Sequence, residues 1–253
     1  MIDLVRAELL KVRTTRGWWV YLGLIVLLVG LGTAADVGST MAGRDSVEYQ
    51  RGLVEAAGLA AVLAIILGIT AVTTEFRHGT ITPTLLHTPR RELVVAGKAI
   101  AVVLVSLGFV VLAVVVVALV AGVWLAAVGA ENQFADSAVV ERAGQVLLSV
   151  PLWALMGIAI GALIQSQVVA LVGTLIWIFL GEGILIAFLG LSDLVGLGDL
   201  EGVADYLPFE ALDAADGTTT DLLPYWVGVG VSLAWIAVIG AAGTERLRRR
   251  DIT

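Results

Sequence analysis

Two polar features interrupt an otherwise apolar chain, and both carry residues able to do chemistry. Glu182, in Leu180-Gly181-Glu182-Gly183, is the only acid well inside an apolar run. An ionisable group at such depth is costly. It marks a proton or ion pathway, or a hydrogen bond across a bundle, and the flanking glycines allow a kink or close packing there. The second feature is the stretch from Thr73 to Glu92, which gathers charge, both histidines and two Thr-Pro pairs between two apolar runs. His78 and His87 stand nine apart without a supporting carboxylate cluster, which is not a zinc ligand set. The chain holds no Gly-x-x-x-x-Gly-Lys-Ser/Thr loop, no His-Glu-x-x-His and no Gly-x-Ser-x-Gly. It also has no cysteine, hence no disulfide, thiolate nucleophile or thiolate metal site. An isolated carboxylate offers no nucleophile and base pair, so the sequence points to binding and mechanical work rather than to an enzyme.

The polar stretch predicts a short, pre-shaped element. Thr82-Pro83 can open a helix, with Thr as its cap and Pro at its first position, and Thr88-Pro89 closes it and opens the next. Gly79 supplies the break on the other side. The element would carry Leu85 and Leu86, with Arg77, His78, Arg90 and Arg91 around it, and is suited to docking on another protein.

The surroundings that must hold these residues are a membrane bundle. Hydrophobic residues fill 59% of 253 positions and charged ones 15%, and with several apolar runs near twenty residues this predicts an all-α membrane protein with six transmembrane helices. The spans are expected at 17–35, 53–74, 98–128, 144–164, 168–191 and 223–243. Residues 1–16 place Met1, Ile2, Val5, Leu9 and Val12 in one arc, which predicts an amphipathic interfacial helix. A signal peptide ending at Thr33-Ala34-Ala35 is the rival reading of the first apolar run. Ala56, Ala57, Gly58, Ala60, Ala61, Ala64 and Gly68 would let a neighbouring backbone approach the second span closely. The third span is long enough to tilt or to project from the bilayer. Only Gln165-Ser166-Gln167 separates the fourth and fifth, which predicts a tight hairpin.

Charge sets the orientation. With the amino terminus, the loop 75–97 with Lys98 just after it, and the tail 244–253 on one side, twelve of the fifteen Lys and Arg lie there, leaving Arg44, Arg51 and Arg142 opposite. Both termini are then expected in the cytoplasm. The segment 192–222 carries eight acids and no Lys or Arg, with apolar spots such as Tyr206, Leu207 and Phe209. Short helices resting at the outer interface are expected for it. The net charge of −7 argues against nucleic acid as a partner; membrane lipid is the expected surrounding.

The pattern Glu75-x-x-x-Gly79-Thr80, followed by Leu85-Leu86-x-x-Pro89-Arg90-Arg91 and by Lys98 at the start of the next span, resembles the type-2 export permeases of ATP-binding-cassette (ABC) transporters. Tyr206-Leu207-Pro208-Phe209-Glu210-Ala211-Leu212 before the last span and the closing Arg248-Arg249-Arg250-Asp251 agree with it. Pro83 departs from the uninterrupted run expected after the Gly-Thr. The resemblance implies a coupling helix in the loop 75–97 that sits in a groove of a separate ATPase subunit, with Glu75, Arg77, His78, Gly79, Thr80, Leu85, Leu86, Pro89, Arg90 and Arg91 at the contact. It implies two ATPase subunits holding ATP and Mg, with no cofactor on this chain. It further implies a second permease chain, identical or different, and export.

Two other classes remain open on the residues alone. An ion-gradient-driven secondary transporter would use Glu182 as its carboxylate and would work without ATP. A membrane scaffold subunit would use the loop only as an anchor.

Overall fold

The computed structural model describes residues 1–15, 17–40, 43–80, 91–191, 201–217 and 223–249. Among them every regular element is a helix. After the short helix α1 (Ile2–Thr14) come α2 (Gly17–Ser39), α3 (Val47–Arg77, with a 3₁₀ turn at Ala56–Leu59), α4 (Arg91–Val128) and α5 (Ser137–Ile164). Then follow α6 (Gln167–Gly190), the short α7 (Pro208–Ala214) and α8 (Tyr225–Arg248). Six of these, α2 to α6 and α8, are long and apolar enough to cross a bilayer.

The helices outrun the expected spans at several ends, for local reasons. Residues 36–52, left between the first two expected spans, are helical at 36–39 and 47–52. α2 continues to Ser39, and α3 starts at Val47 because Ser46 caps it, its hydroxyl accepting the Tyr49 N–H at 3.2 Å. Asp136 does the same for α5, accepting from Ala138 N–H at 2.8 Å, so the expected connection 129–143 gives way to helix at Ser137. Each such cap is worth about 1 kcal/mol. The third span begins at Arg91 rather than Lys98, and the sixth runs on through the first half of the basic tail to Arg248.

α1 is a helix, but its packed face differs from the apolar arc. Met1 and Ile2 are exposed, while Leu4, Val5, Glu8, Leu9 and Val12 face the bundle to varying degrees. The helix is rotated so that the charged Glu8 is included, because that carboxylate has a partner inside. Asp3 in the first turn and Lys11 and Arg13 in the last complement the helix dipole.

α3 and α5 form the centre of the bundle and are its most buried spans. Their backbones touch: a β-carbon at Gly68 would overlap the Ala154 carbonyl oxygen, and one at Gly157 would overlap that of Ile65. The small residues of the second span thus serve a crossing with the fourth, as van der Waals packing in a membrane requires. Gly157→Val is expected to lower stability by about 3 kcal/mol, since the added atoms meet backbone that cannot swing aside. Thermal unfolding of the variant in nanodiscs checks this. By contrast α2, α6 and α8 bury only 22%, 17% and 22% of their most apolar stretches, and so turn broad apolar faces outward to lipid or to another chain.

Candidate functional site

At one end of the bundle, α3 and α4 flank the loop that the sequence singles out. α3 stops in a Schellman motif. The Thr80 N–H reaches the Glu75 carbonyl at 3.0 Å and the Gly79 N–H that of Phe76 at 3.4 Å, with Gly79 at φ 67°. His78 turns its Nδ1 onto the Thr74 carbonyl at 2.9 Å. Glu75 and Arg77, expected in the loop, therefore lie in the last turn of α3, and Arg91 opens α4. Leu85, Leu86, Pro89 and Arg90 lie outside the described residues.

Glu75 points inward. Its Oε1 accepts from Lys98 Nζ of α4 and from Lys11 Nζ of α1, both at 2.7 Å. Lys98, 2% exposed at its side chain, also donates to Glu8 Oε1 and to the Ala71 carbonyl, each at 3.1 Å. An ammonium has three N–H donors, and Lys98 has three acceptors. Such a buried charge is tolerable only when fully paired in this way. Burial alone would lower the Lys11 pKa, but its hydrogen bonds to Glu75 and Glu8 outweigh burial and raise it above the ordinary lysine value. The cluster ties α1, α3 and α4 together on both sides of the loop.

Further pairs stitch the same end. Arg77 donates to Gln167 Oε1 at the start of α6 at 3.2 Å, and Arg246 of α8 donates to the last turn of α5 at the Leu163 carbonyl at 2.6 Å. Arg248 pairs with Glu92 in the first turn of α4. Arg77, His78, Gly79 and Thr80 are exposed and Glu75 is not, so those four, and not Glu75, present a surface at the end of α3.

Glu182 sits apart from this cluster, near the opposite end of α6, and is 3% exposed. Ala170, Thr174 and Glu182 are the buried positions of α6. On a regular helix, twelve residues from Ala170 would leave Glu182 about 120° off that face. The π turn at Trp177–Gly181 inserts the extra residue that brings it back. There its Oε1 accepts the Phe209 N–H at 3.0 Å and the Glu210 N–H at 3.4 Å, the free donors at the start of α7. Pro208 fills the first position of α7 and Leu207 supplies no capping oxygen, so Glu182 serves as a cap from another helix. Glu182→Ala is expected to cost about 1–2 kcal/mol of stability, and Glu182→Gln less because an amide oxygen still accepts. Thermal unfolding of both variants separates them.

The rest of that end is a second polar layer that sequence reasoning missed. Arg142 of α5, almost wholly buried, donates to the Asp216 carbonyl just past α7 and lies 3.5 Å from Glu55. The Ser149 hydroxyl donates to Asp216 Oδ1 at 2.7 Å. Burial raises the Asp216 pKa, opposed by Ser149 and Arg142, which lower it. Gln50 of α3, fully buried, bridges two loops: its amide donates to the Arg44 and Glu131 carbonyls at 2.9 and 2.6 Å, and its oxygen accepts from Gln133 N–H at 2.7 Å. Nothing in the sequence distinguishes Arg142 or Gln50 from surface residues near a span end, because their partners lie far along the chain. Among the described residues no His, Cys, Asp and Glu group is arranged to hold a metal ion.

A bundle with six helices long and apolar enough to cross a bilayer, and a stitched polar layer at each end, is that of a multi-pass membrane protein. The family model described as ABC-2 family transporter protein matches residues 4–181, from α1 to the turn before Glu182, and the chain belongs to that family. Comparison with curated proteins finds no match.

Proposed function

We propose that this chain is the permease subunit of an ATP-driven ABC exporter, and that two such chains, identical or different, form the translocation pathway above two separate ATPase subunits. The observation that carries the reading is the bracing of the loop between α3 and α4. Glu75 before it, and Glu92 and Lys98 after it, are ion-paired to α1, α8 and each other. A push delivered to that loop would then move α1, α3 and α4 as one body instead of being lost in a flexible hinge. A chain without a P-loop must receive such work from a partner that has one.

In this reading Arg77, His78, Gly79 and Thr80, with Leu85, Leu86, Pro89, Arg90 and Arg91, form the ATPase contact, and Glu75 is a positioning residue behind it. Both termini and the loop are cytoplasmic, which twelve of the fifteen Lys and Arg support. ATP and Mg reside on the partner. The alternative of ion-coupled transport through Glu182 is weakened by the engagement of that carboxylate at α7. Coexpression with a candidate P-loop ATPase subunit tests the proposal. The two should copurify, and hydrolysis should depend on this chain. Transport by the chain alone, insensitive to ATP depletion, would overturn it.

A further inference from the structure

The chain reverses between α5 and α6 at Gln165, whose left-handed conformation (φ 59°) ends α5. The last turns of α8 lie hard against that end, since a β-carbon at Gly243 would overlap the Leu163 amide nitrogen. Between the turn and α8 runs an open groove of about 820 Å³. Its floor is Ile164 and Ala242. Its walls carry Arg246, Arg249, Glu245 and Ser166, whose hydroxyl is not spent on capping α6.

Both arginines are exposed to solvent and held in place by the fold. Arg246 donates to the Leu163 carbonyl at 2.6 Å, and Arg249 uses its Nε on Glu245 Oε1 at 2.7 Å. A guanidinium has five N–H groups, so each residue is fixed by one bond and keeps a planar fork of donors that an arriving anion can reach. A phosphate exchanges the water on that fork for charge-assisted hydrogen bonds. Charge favours the same ligand. Two arginines and one glutamate leave the groove one positive charge in excess, whereas the Glu75 cluster balances two lysines with two glutamates.

The groove continues inward along apolar surface. Val238, Ala242, Arg246 and Arg249 follow at spacings of four, four and three, so one face of α8 passes from apolar to basic as it leaves the span. Val238 is 62% exposed, and Val168 and Val169 are exposed in the first turn of α6. An occupant thus meets guanidinium groups at one level and bare aliphatic side chains two turns deeper. A free phosphate would use only the upper part. A phospholipid uses both.

We propose that this groove binds one anionic phospholipid of the phosphatidylglycerol class, its phosphate on Arg246 and Arg249, its head hydroxyls toward Ser166, and its first methylenes along Ala242 and Val238. Choline and ethanolamine heads bring a cation that the excess positive charge opposes. The lipid would bridge α8 to the turn between α5 and α6, and the proposed cytoplasmic orientation puts the groove in the leaflet that carries anionic heads.

The test uses the full chain in nanodiscs of equal parts phosphatidylglycerol, phosphatidylcholine and phosphatidylethanolamine, with retained lipid identified by native mass spectrometry. Phosphatidylglycerol should be retained about tenfold over either zwitterionic lipid, the discrimination expected of two arginines on one phosphate. Arg249→Gln should cut that preference about fivefold, as the loss of one surface cation predicts. Ala242→Phe fills the floor without removing charge and should displace the lipid while unfolding at the wild-type temperature. Arg13→Gln, an exposed cation on α1, should leave the preference unchanged, and excess inorganic phosphate should not release the lipid. Equal retention of the three lipids, an equal effect of Arg13→Gln and Arg249→Gln, undiminished phosphatidylglycerol in Ala242→Phe, or release by inorganic phosphate would each overturn the proposal. A groove closed by a second copy of the chain, seen as a lipid-free dimer that Ala242→Phe splits, would overturn it as well. The measurement needs no ATPase, so its failure leaves the transport reading standing and the reverse holds equally.

Discussion

Replacing Leu85 and Leu86 together by aspartate is expected to abolish stimulation of the partner ATPase while the chain still inserts in the membrane with both ends on the same side. In the ATPase contact proposed above, the two adjacent leucines would be its apolar anchors, and truncating an anchor residue costs about 2 kcal/mol. Two aspartates add the desolvation of charge to the loss of both anchors. The contact should weaken by roughly a thousandfold. Insertion is unaffected, because the substitutions lie between spans and leave the flanking basic residues that orient them. ATPase rates of the copurified complex, set beside reporter fusions at both ends, read out the two effects separately. Normal hydrolysis in the double variant would place the coupling contact elsewhere, and an outward-facing loop would remove it altogether.

The second large effect is expected at Lys98. Lys98→Met strips the Glu75 and Glu8 carboxylates of their buried cation, leaving Lys11 from a half-exposed position as the only cation on Glu75. Breaking a buried pair by removing one partner costs about 3–5 kcal/mol, because the other charge stays behind. Removing both should hurt less than removing one. The double variant Lys98→Met with Glu75→Gln is therefore expected to recover a substantial part of that loss, as measured by thermal unfolding in nanodiscs. Lys98→Arg is not expected to substitute, since a planar guanidinium cannot direct donors to Glu75, Glu8 and the Ala71 carbonyl from the space an ammonium occupies. A Lys98→Met protein within about 0.5 kcal/mol of wild type would show that the cluster contributes nothing beyond surface pairing.

These two experiments divide the transmission path into its halves. The leucines test whether force enters at the loop, and Lys98 tests whether the elements beside the loop are fastened firmly enough to carry it. A chain that loses coupling in the first case and stability in the second fits a permease moved from below. Loss of stability without any dependence of hydrolysis on the chain would leave a well-braced bundle with no ATP-driven role.

Much of the architecture follows from local sequence. Hydropathy locates six spans because a backbone crossing lipid must satisfy its own hydrogen bonds, and each apolar run does so as a helix wherever it folds. Ser46, Gly79 and Asp136 mark helix ends through contacts within a few residues. The motif around Glu75 and the ABC-2 family are legible for the same reason, as short patterns along one stretch of chain.

What only the tertiary structure decided depends on residues distant in sequence. That Glu75 faces inward to Lys98 and Lys11, leaving Arg77 to Thr80 as the exposed surface, could not be told from a polar stretch read as one loop. Glu8 looks like part of a solvated face on a helical wheel, yet it turns inward because a lysine ninety residues away meets it. For Glu182, the sequence left pathway and packing both open. A π turn re-aimed the carboxylate, and a helix start twenty-seven residues on received it. Periodicity describes a chain against an average surrounding, whereas a buried charge is positioned by its particular partner, and that partner is known only when the helices are brought together.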